Sequence, residues 1–190
     1  MTKRAGGESD RREQILDAAA RVLSEQGVRA FTHRSVAKEA GVPLGLTTYY
    51  FKDRDELLLL AIRKARVASQ TENARVIREL IDQLGLAAGL ARYIEYETKD
   101  RLGGLTRNYR VYVTALYQPS LQSEISSWHP GPEFAFHTDP ATAASLGYLV
   151  EGYLIHAVIN NRSFLAEEVL PAIQRLLGEE QVAEVRDSRL

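Results

Sequence analysis

Hydroxyl, imidazole and cationic side chains are concentrated between residues 32 and 54 of this 190-residue chain. Such groups donate hydrogen bonds to phosphate oxygens and reach the polar edges of bases, while neighbouring apolar atoms can contact thymine methyls. The chemistry that they indicate is recognition of a nucleic acid rather than bond breaking. The candidate binding residues are Thr32, His33, Arg34, Pro43, Leu44, Gly45, Thr48, Tyr49, Tyr50, Lys52 and Arg54.

Catalytic and metal-binding patterns are missing from the sequence. The four histidines, at positions 33, 129, 137 and 156, include no pair four residues apart, and the chain has no cysteine. Gly103 and Gly104 lack the Gly-Lys-Ser sequence of a phosphate-binding loop, and no Gly-x-Ser-x-Gly nucleophile elbow occurs. We therefore predict no enzymatic activity, no metal site and no cofactor.

Two short helices joined by a tight turn would position the candidate residues. Thr32 or His33 can cap the first helix, and Gly41 can end it because glycine adopts a left-handed backbone without a Cβ clash. The stretch from Leu44 to Tyr50 allows about two helical turns, which is enough to lie in a major groove. The pattern predicts a helix-turn-helix.

More than a dozen residues at fixed spacing extend this pattern over three helices. They are Ile15 to Ala19, Gly27, Thr32, Val36, Ala37, Ala40 to Val42, Gly45, Tyr50, Phe51, Glu56 and Leu57. This combination resembles the amino-terminal domain of the TetR family of transcriptional regulators. The resemblance implies an all-α fold, with a three-helix DNA-binding head over residues 1–56 and a larger helical ligand-binding and dimerisation body over residues 57–190.

Two residues of the second short helix depart from the family pattern. Thr47 and Thr48 stand where members of the family usually have an aliphatic residue followed by a tyrosine. We expect Thr47 to pack through its methyl group and Thr48 to be too short for the usual contact with DNA. Because Tyr49 can take over part of that role, the operator preference is expected to be unusual.

Positive charge is concentrated in the predicted head. Residues 1–66 hold 13 Lys and Arg against 9 Asp and Glu, a balance of +4, whereas the rest of the chain has a balance of −5. Lys3 and Arg4 lie in a segment that we expect to be flexible and can approach phosphates, although ordinary solvated charges would give the same count. Arg34 and Arg54 coincide with positions that the resembling family uses at the duplex.

Capping residues and hydrophobic spacing divide the chain into helices. Ser9 or Asp10 can cap the first helix, and Asp53 with Glu56 forms a capping-box-like start for a long fourth helix. The later predicted helices are 86–100, 105–118, 120–128, 139–160 and 165–177, with Gly103-Gly104 before the second, a turn-rich candidate lid at 129–140, and a kink or restart at Pro171.

The predicted helix over residues 139–160 is apolar almost all round and therefore needs cover on several sides. Deep burial within one chain is one explanation, and contact with a second copy is the other. The family resemblance favours a homodimer, whose last two long helices form a four-helix bundle and whose reading helices lie about one DNA turn, roughly 34 Å, or a multiple apart. The candidate interface residues are Ala144, Gly147, Tyr148, Glu151, Ile155, Val158, Ile173 and Leu177.

Tyrosines are frequent outside the head. Phenols supply both the apolar surface and the hydrogen-bonding groups of a small-molecule pocket. Core tyrosines with satisfied hydroxyls would give the same pattern, so both interpretations stay open. The candidate ligand-binding residues are Tyr93, Tyr96, Tyr109, Tyr112, Tyr117, Trp128, Tyr153 and His156.

These observations together predict a cytoplasmic DNA-binding regulator. No apolar stretch approaches the roughly 20 residues that cross a bilayer, and the first residues carry no secretion signal, so we expect no membrane partner. The expected mechanism is repression, in which a homodimer binds a palindromic DNA operator and a small-molecule effector releases it. Activation or corepressor-dependent binding is the alternative. An architectural DNA protein is disfavoured because the body is acidic.

Overall fold

The computed structural model describes residues 3–116, 121, 134 and 137–178. Within these residues the chain forms eight α-helices and no strand, which confirms the predicted all-α fold class. The helices, numbered in chain order, are α1 (Lys3–Gln26), α2 (His33–Ala40), α3 (Leu44–Tyr50), α4 (Arg54–Leu84), α5 (Leu86–Lys99), α6 (Leu102–Leu116), α7 (Pro140–Asn160) and α8 (Ala166–Leu177).

The head consists of α1, α2 and α3 around a small apolar core. Ile15 and Val22 lie two turns apart on one face of α1 and are fully buried. Phe31, before α2, and Phe51, after α3, are also fully buried. Because each buried aliphatic or aromatic side chain stabilises the fold by about 1.5–3 kcal/mol, this core holds two short helices that would be marginal alone.

Polar contacts attach α1 to α2. The side-chain amide of Gln14 donates to the carbonyl oxygen of Ala40 at 2.9 Å, where α2 ends. Arg21 donates to Glu39 at 2.8 Å on the surface. The first of these contacts stabilises the helix more directly, because the last carbonyls of a helix have no partner within the helix.

The start of α1 differs from the sequence prediction. The helix begins at Lys3, so Ser9 and Asp10 lie inside it instead of capping it. The expected flexible segment around Lys3 and Arg4 is therefore helical, and that prediction was wrong. No proline interrupts residues 3–10, so the backbone continues as a helix through the two expected caps.

The fourth helix begins as the capping pattern predicts. The carboxylate of Asp53 accepts a hydrogen bond from the backbone amide of Glu56 at 2.9 Å. Glu56 returns a contact by accepting from the backbone amide of Lys52 at 2.7 Å. The helix runs without a break to Leu84, and Gly85 follows with a φ of 79°.

The predicted break at Gly103-Gly104 is wrong, because α6 begins at Leu102 and includes both glycines. Each glycine costs about 1 kcal/mol in a helix relative to alanine. Burial of Leu105 and Tyr109 on the same helix outweighs this cost. The predicted helix 120–128 lies almost entirely outside the described residues, and so does most of the candidate lid at 129–140.

The last two helices have defined ends. Asp139 caps α7 by accepting from the amides of Ala141 at 3.0 Å and Thr142 at 3.1 Å. In α8 the chain continues through Pro171 without the predicted restart. Val169 and Ile173 on either side of the proline are fully buried, so packing holds both halves of α8 in one helix.

By length and composition alone, α7 could cross a membrane, which the sequence analysis did not anticipate. Glu151 is the single charged residue within it. Core helices of globular proteins meet the same criterion, and 33% of the most apolar window of α7 is buried inside the protein.

The described residues form two compact units. The first takes its residues from Met1–Thr71 and Arg107–Ile125, and the second from Glu72–Thr106 and Ser126–Leu190. Because α4 and α6 each contribute residues to both units, the predicted boundary between residues 56 and 57 remains a prediction.

Candidate functional site

The helix-turn-helix has the local geometry that its sequence predicts. Thr32 caps α2, because its hydroxyl oxygen accepts a hydrogen bond from the backbone amide of Ser35 at 3.0 Å. Gly41 ends α2 with a φ of 66° in the left-handed region. The amide of Val42 then donates to the carbonyl of Ala37 at 3.0 Å, which closes the turn.

One face of α3 is exposed and the other is anchored. Thr47 is fully buried and donates its hydroxyl proton to the carbonyl of Leu44 at 2.8 Å, as expected for a packed threonine. Thr48 is exposed and makes the corresponding bond to Gly45 at 3.1 Å. Tyr49 is 69% exposed, so its phenol is the largest group on the outward surface of α3.

An aromatic cluster joins the end of α3 to α1. The rings of Tyr49 and Tyr50 meet edge to face at 5.0 Å between centroids. The guanidinium of Arg12 lies over the ring of Phe51 at 5.2 Å. The phenol of Tyr49 donates to the carboxylate of Glu8 at 3.2 Å, a contact that the sequence analysis missed because it joins residues 41 positions apart. This hydrogen bond raises the pKa of Tyr49.

The predicted phosphate-binding cations differ in their surroundings. Arg34 and Lys52 are exposed. Arg54 instead donates to the carbonyl of Phe31 and to that of Val28, both at 2.9 Å. Arg54 therefore has a structural role between α1 and α2, which its charge alone did not indicate, and its phosphate contact remains a prediction.

His33, Pro43 and Leu44 complete the predicted set. Pro43 is exposed at the start of α3, and Leu44 is 43% exposed beside it. His33 is half-buried, and within the described part of the chain its Nδ1 atom is buried without a hydrogen-bond partner. Pro43 and Leu44 are therefore accessible at the start of α3, and His33 is the first residue of α2.

The predicted ligand-binding tyrosines fall into both compact units. Tyr109 and Tyr112 belong to the first unit, where Tyr109 is buried and Tyr112 half-buried. Tyr93, which is buried, and Tyr96, which is half-buried, belong to the second. In that unit the ring of Tyr153 meets Phe164 edge to face at 5.0 Å and His156 is exposed. Tyr117 and Trp128 lie outside the described residues.

A cavity of about 340 Å³ opens in the second unit between α4 and α5. Tyr96 lines it together with Leu80 and several charged side chains. One of these, Arg75, is held by Glu72 at 2.8 Å and Glu79 at 2.6 Å. The cavity therefore combines an aromatic wall with charges that are mostly paired.

A buried carboxylate in α5 was also missed. Glu97 is 4% exposed and accepts a hydrogen bond from Arg101 at 3.1 Å. Burial raises the pKa of Glu97, and Arg101 only partly opposes this effect. The signal for its burial was its position four residues after the buried Tyr93, on the same helical face.

The predicted interface residues in α7 and α8 differ in their exposure to solvent. Tyr148 is 64% exposed and Glu151 is exposed, whereas Ala144, Ile155, Val158 and Leu177 are half-buried. Gly147 and Ile173 are buried inside the second unit, so neither offers a surface to another chain. Among the described residues, no group of three or more His, Cys, Asp or Glu side chains is placed to hold a metal ion.

Comparisons with known proteins match both the head and the body. A family model described as bacterial regulatory proteins, tetR family, matches residues 15–61. The HTH-type transcriptional regulator PksA of Bacillus subtilis (strain 168) is 45% identical over 53 residues, or 28% of this chain and 26% of that protein. The chain spans about a quarter to a third of the length of the curated relatives that it matches.

Similarity to solved structures extends over most of the chain. The multidrug binding protein EbrR in complex with ethidium is 34% identical, with a TM-score of 0.71 over 87% of this chain and 98% of that one. EbrR has also been solved with proflavin and with malachite green. A member of the TetR family, SCO1917 from Streptomyces coelicolor A3, is 31% identical, with a TM-score of 0.66 over 87% of this chain and 97% of that one.

Proposed function

Because this chain belongs to the TetR family of bacterial regulatory proteins, we propose that it is a ligand-responsive transcriptional repressor. In this proposal a homodimer binds a palindromic operator in the cytoplasm, and a small-molecule effector releases it. The observation that carries the proposal is the exposed face of α3, where Leu44, Thr48 and Tyr49 project from a helix that Thr47 anchors. We propose no enzymatic role, because the family model and the curated relatives that match this chain are transcriptional regulators.

The geometry of α3 supports reading of a major groove. Its seven residues form about two turns, and its exposed face carries hydroxyl and apolar groups instead of acidic ones. Arg34 and Lys52 flank it and can bind phosphates, which would fix the orientation of the head without reading sequence.

A stripe of exposed and half-buried residues on α7 supports the homodimer. Ser145, Tyr148, Gly152, Ile155 and Ile159 follow one another at alternating spacings of three and four residues, and we call them the α7 outer stripe. Tyr148 is 64% and Ile159 67% exposed, although both are large and partly or wholly apolar. Alternating spacing of this kind is typical of helices that pair with another helix.

The proposed effector class is an aromatic cation. EbrR, to which this chain is similar over 98% of that chain's length, binds ethidium, a planar aromatic cation. Residues 67–190 of this chain carry a net charge of −5 and seven of its nine tyrosines, so they offer negative potential and aromatic faces. Both features favour cations over anions.

We propose that the effector acts through α4 and α6, since each helix contributes residues to both compact units. In the first unit, Cδ of Arg110 in α6 lies 3.9 Å from the position that a Cβ on Gly27 would occupy, so α6 lies beside the end of α1. Movement of either helix would change the placement of α3. A coupling free energy of about 3 kcal/mol would lower operator affinity roughly 150-fold. In the alternative, activation or effector-promoted binding, the same surfaces are used, and the coupling free energy between effector and operator has the opposite sign.

The test has two stages. Fragments of the source genome are selected with the purified protein and sequenced, and an enriched palindrome is expected. Ethidium binding is then measured by calorimetry without DNA, because ethidium itself intercalates into DNA. Release of the selected site is measured with malachite green, with an unrelated repressor and its operator as the control. Failure to enrich any site above salt-sensitive nonspecific binding would contradict the proposal.

A further inference from the structure

Two residues one helical turn apart on α1 reach the end of the reading helix α3. Glu8 accepts the hydrogen bond from Tyr49 at 3.2 Å, and the guanidinium of Arg12 lies over Phe51 at 5.2 Å. Residues four apart in a helix share one face, so this face of α1 runs beside the carboxyl end of α3. Glu8 belongs to this face because α1 extends beyond the predicted caps at Ser9 and Asp10.

The direction of the hydrogen bond between Tyr49 and Glu8 determines which further hydrogen bonds the phenol of Tyr49 can make. A phenol has one proton to donate and an oxygen that also accepts. In this structure Glu8 takes the proton, and its carboxylate is a charged and therefore strong acceptor. The same contact raises the pKa of Tyr49, so the phenol stays protonated. What remains for a partner outside the protein is the acceptor function of the phenol oxygen.

We propose that Glu8 is a positioning residue that determines which bases Tyr49 reads. This inference rests on the proposed function, because it requires α3 to lie in a major groove. Tyr49 is 69% exposed and would otherwise be free to donate to a phosphate or to a base. Held by Glu8, its oxygen only accepts.

The consequence is a preference for amino bases. In the major groove adenine presents its N6 amino group and cytosine its N4 amino group as donors, whereas thymine and guanine present carbonyl acceptors. Tyr49 therefore selects adenine or cytosine at one position in each half-site. Phosphates, which only accept, become poor partners for its phenol.

The experiment is a selection from random DNA with the unmodified protein, three single variants and the double variant Glu8→Ala/Tyr49→Phe. Glu8→Ala frees the phenol proton, and Tyr49→Phe removes the hydroxyl while keeping the ring. Asp10→Ala is the matched control, because Asp10 is an exposed acid two residues further along α1 and removing it changes the charge equally. Thermal melting of each variant verifies that the head remains folded.

We expect the wild-type protein and Asp10→Ala to enrich the same motif, with adenine or cytosine at one position per half-site. Glu8→Ala and Tyr49→Phe keep the rest of the motif and lose about five- to tenfold of the preference at that position, the effect of one hydrogen bond. The double variant loses no more than either single one.

An unchanged preference in Glu8→Ala would overturn the inference while leaving the proposed function intact. So would a change that Asp10→Ala reproduces, since that result would be an effect of charge alone. Absence of any enriched motif for the wild-type protein would instead contradict the proposed function itself, and the inference with it.

Discussion

Gly89 in α5 lies directly against the backbone of Ile81 in α4. A Cβ at position 89 would stand 2.8 Å from both Cα and the amide nitrogen of Ile81, closer than carbon atoms approach in folded proteins. The amide of Gly89 also donates to the carbonyl of Gly85 at 2.8 Å. Only a residue without a side chain fits, so Gly89 fixes how closely the two helices pack around the corner at Gly85.

Gly89→Ala should therefore destabilise the second unit. The added methyl group meets backbone atoms that cannot rotate away, so we expect a loss of about 1–3 kcal/mol in the free energy of unfolding by urea. Gly45→Ala is the control, because a Cβ there meets nothing within 4 Å and alanine favours a helix by about 0.5–1 kcal/mol. Equal unfolding midpoints for the two variants would contradict the close approach.

Features that depend on neighbouring residues could be predicted from the sequence. The caps at Thr32 and Asp139 and the turn at Gly41 follow from side chains within three or four positions. The family resemblance added the order of the helices and the identity of α3. Glycine and proline were misleading helix breakers at Gly103-Gly104 and Pro171, because packing holds both helices together there.

Features that depend on distant contacts could not be predicted. The sequence predicts a helix over residues 86–100, but the close contact of Gly89 with Ile81 depends on how two helices meet. The charge of Arg54 is evident from the sequence. The carbonyl oxygens of Val28 and Phe31, to which its guanidinium donates hydrogen bonds, are not. The contact of Glu8 with Tyr49 joins residues 41 positions apart, and Glu8 lies in a part of α1 that the sequence did not indicate as helical.

Alanine variants of Arg54 and Arg34 should differ in their effects on stability and on DNA binding. Arg54→Ala leaves two loop carbonyls without their donors, so we expect a loss of about 1–3 kcal/mol in stability measured by urea unfolding. Arg34→Ala removes an exposed cation, so stability should be unchanged. Its operator affinity should fall for all sequences, with the slope of log K against log salt reduced by about 1. An unchanged unfolding midpoint in Arg54→Ala would argue against its structural role.

Glu97 should make stability depend on pH with a defined sign. Because burial raises the pKa of Glu97 in the folded state, its protonated form favours folding, and that contribution is lost as pH rises through the raised pKa. Glu97→Gln keeps the shape and carries no charge. Relative to the wild type, the variant should become progressively more stable as pH rises above the ordinary glutamate pKa of about 4.3.

The measurement is urea unfolding of both proteins at several pH values from about 4 to 8, a range that brackets the ordinary pKa. Other titrating groups are common to the two proteins, so the difference in unfolding free energy reports on Glu97. A difference that stays constant across this range would mean that the pKa of Glu97 is the same in the folded and unfolded states.

Tyr112 should distinguish a pocket tyrosine from a core tyrosine. It is half-buried in α6, the helix that contributes to both units. Tyr112→Ala is expected to keep operator affinity and to weaken malachite green binding about tenfold, while Tyr112→Phe, which retains the ring, should lose much less. If Tyr112→Ala instead lowers the melting temperature and leaves dye affinity unchanged in the folded fraction, Tyr112 belongs to the core.

Gly152 gives the sharpest test of the homodimer. A Cβ at position 152 would meet no atom within 4 Å, so we expect Gly152→Leu to leave the fold of the protomer intact. If the α7 outer stripe packs against a second copy, the leucine fills the space that the partner helix needs, and close-packed interfaces resist such insertion by about 1–3 kcal/mol. Sedimentation velocity should then show a shift toward monomer with unchanged helical content.

Gln70→Leu, which places the same side chain at an exposed position of α4, should remain dimeric. A dimer that survives Gly152→Leu at the wild-type concentration would argue against the α7 outer stripe as the interface.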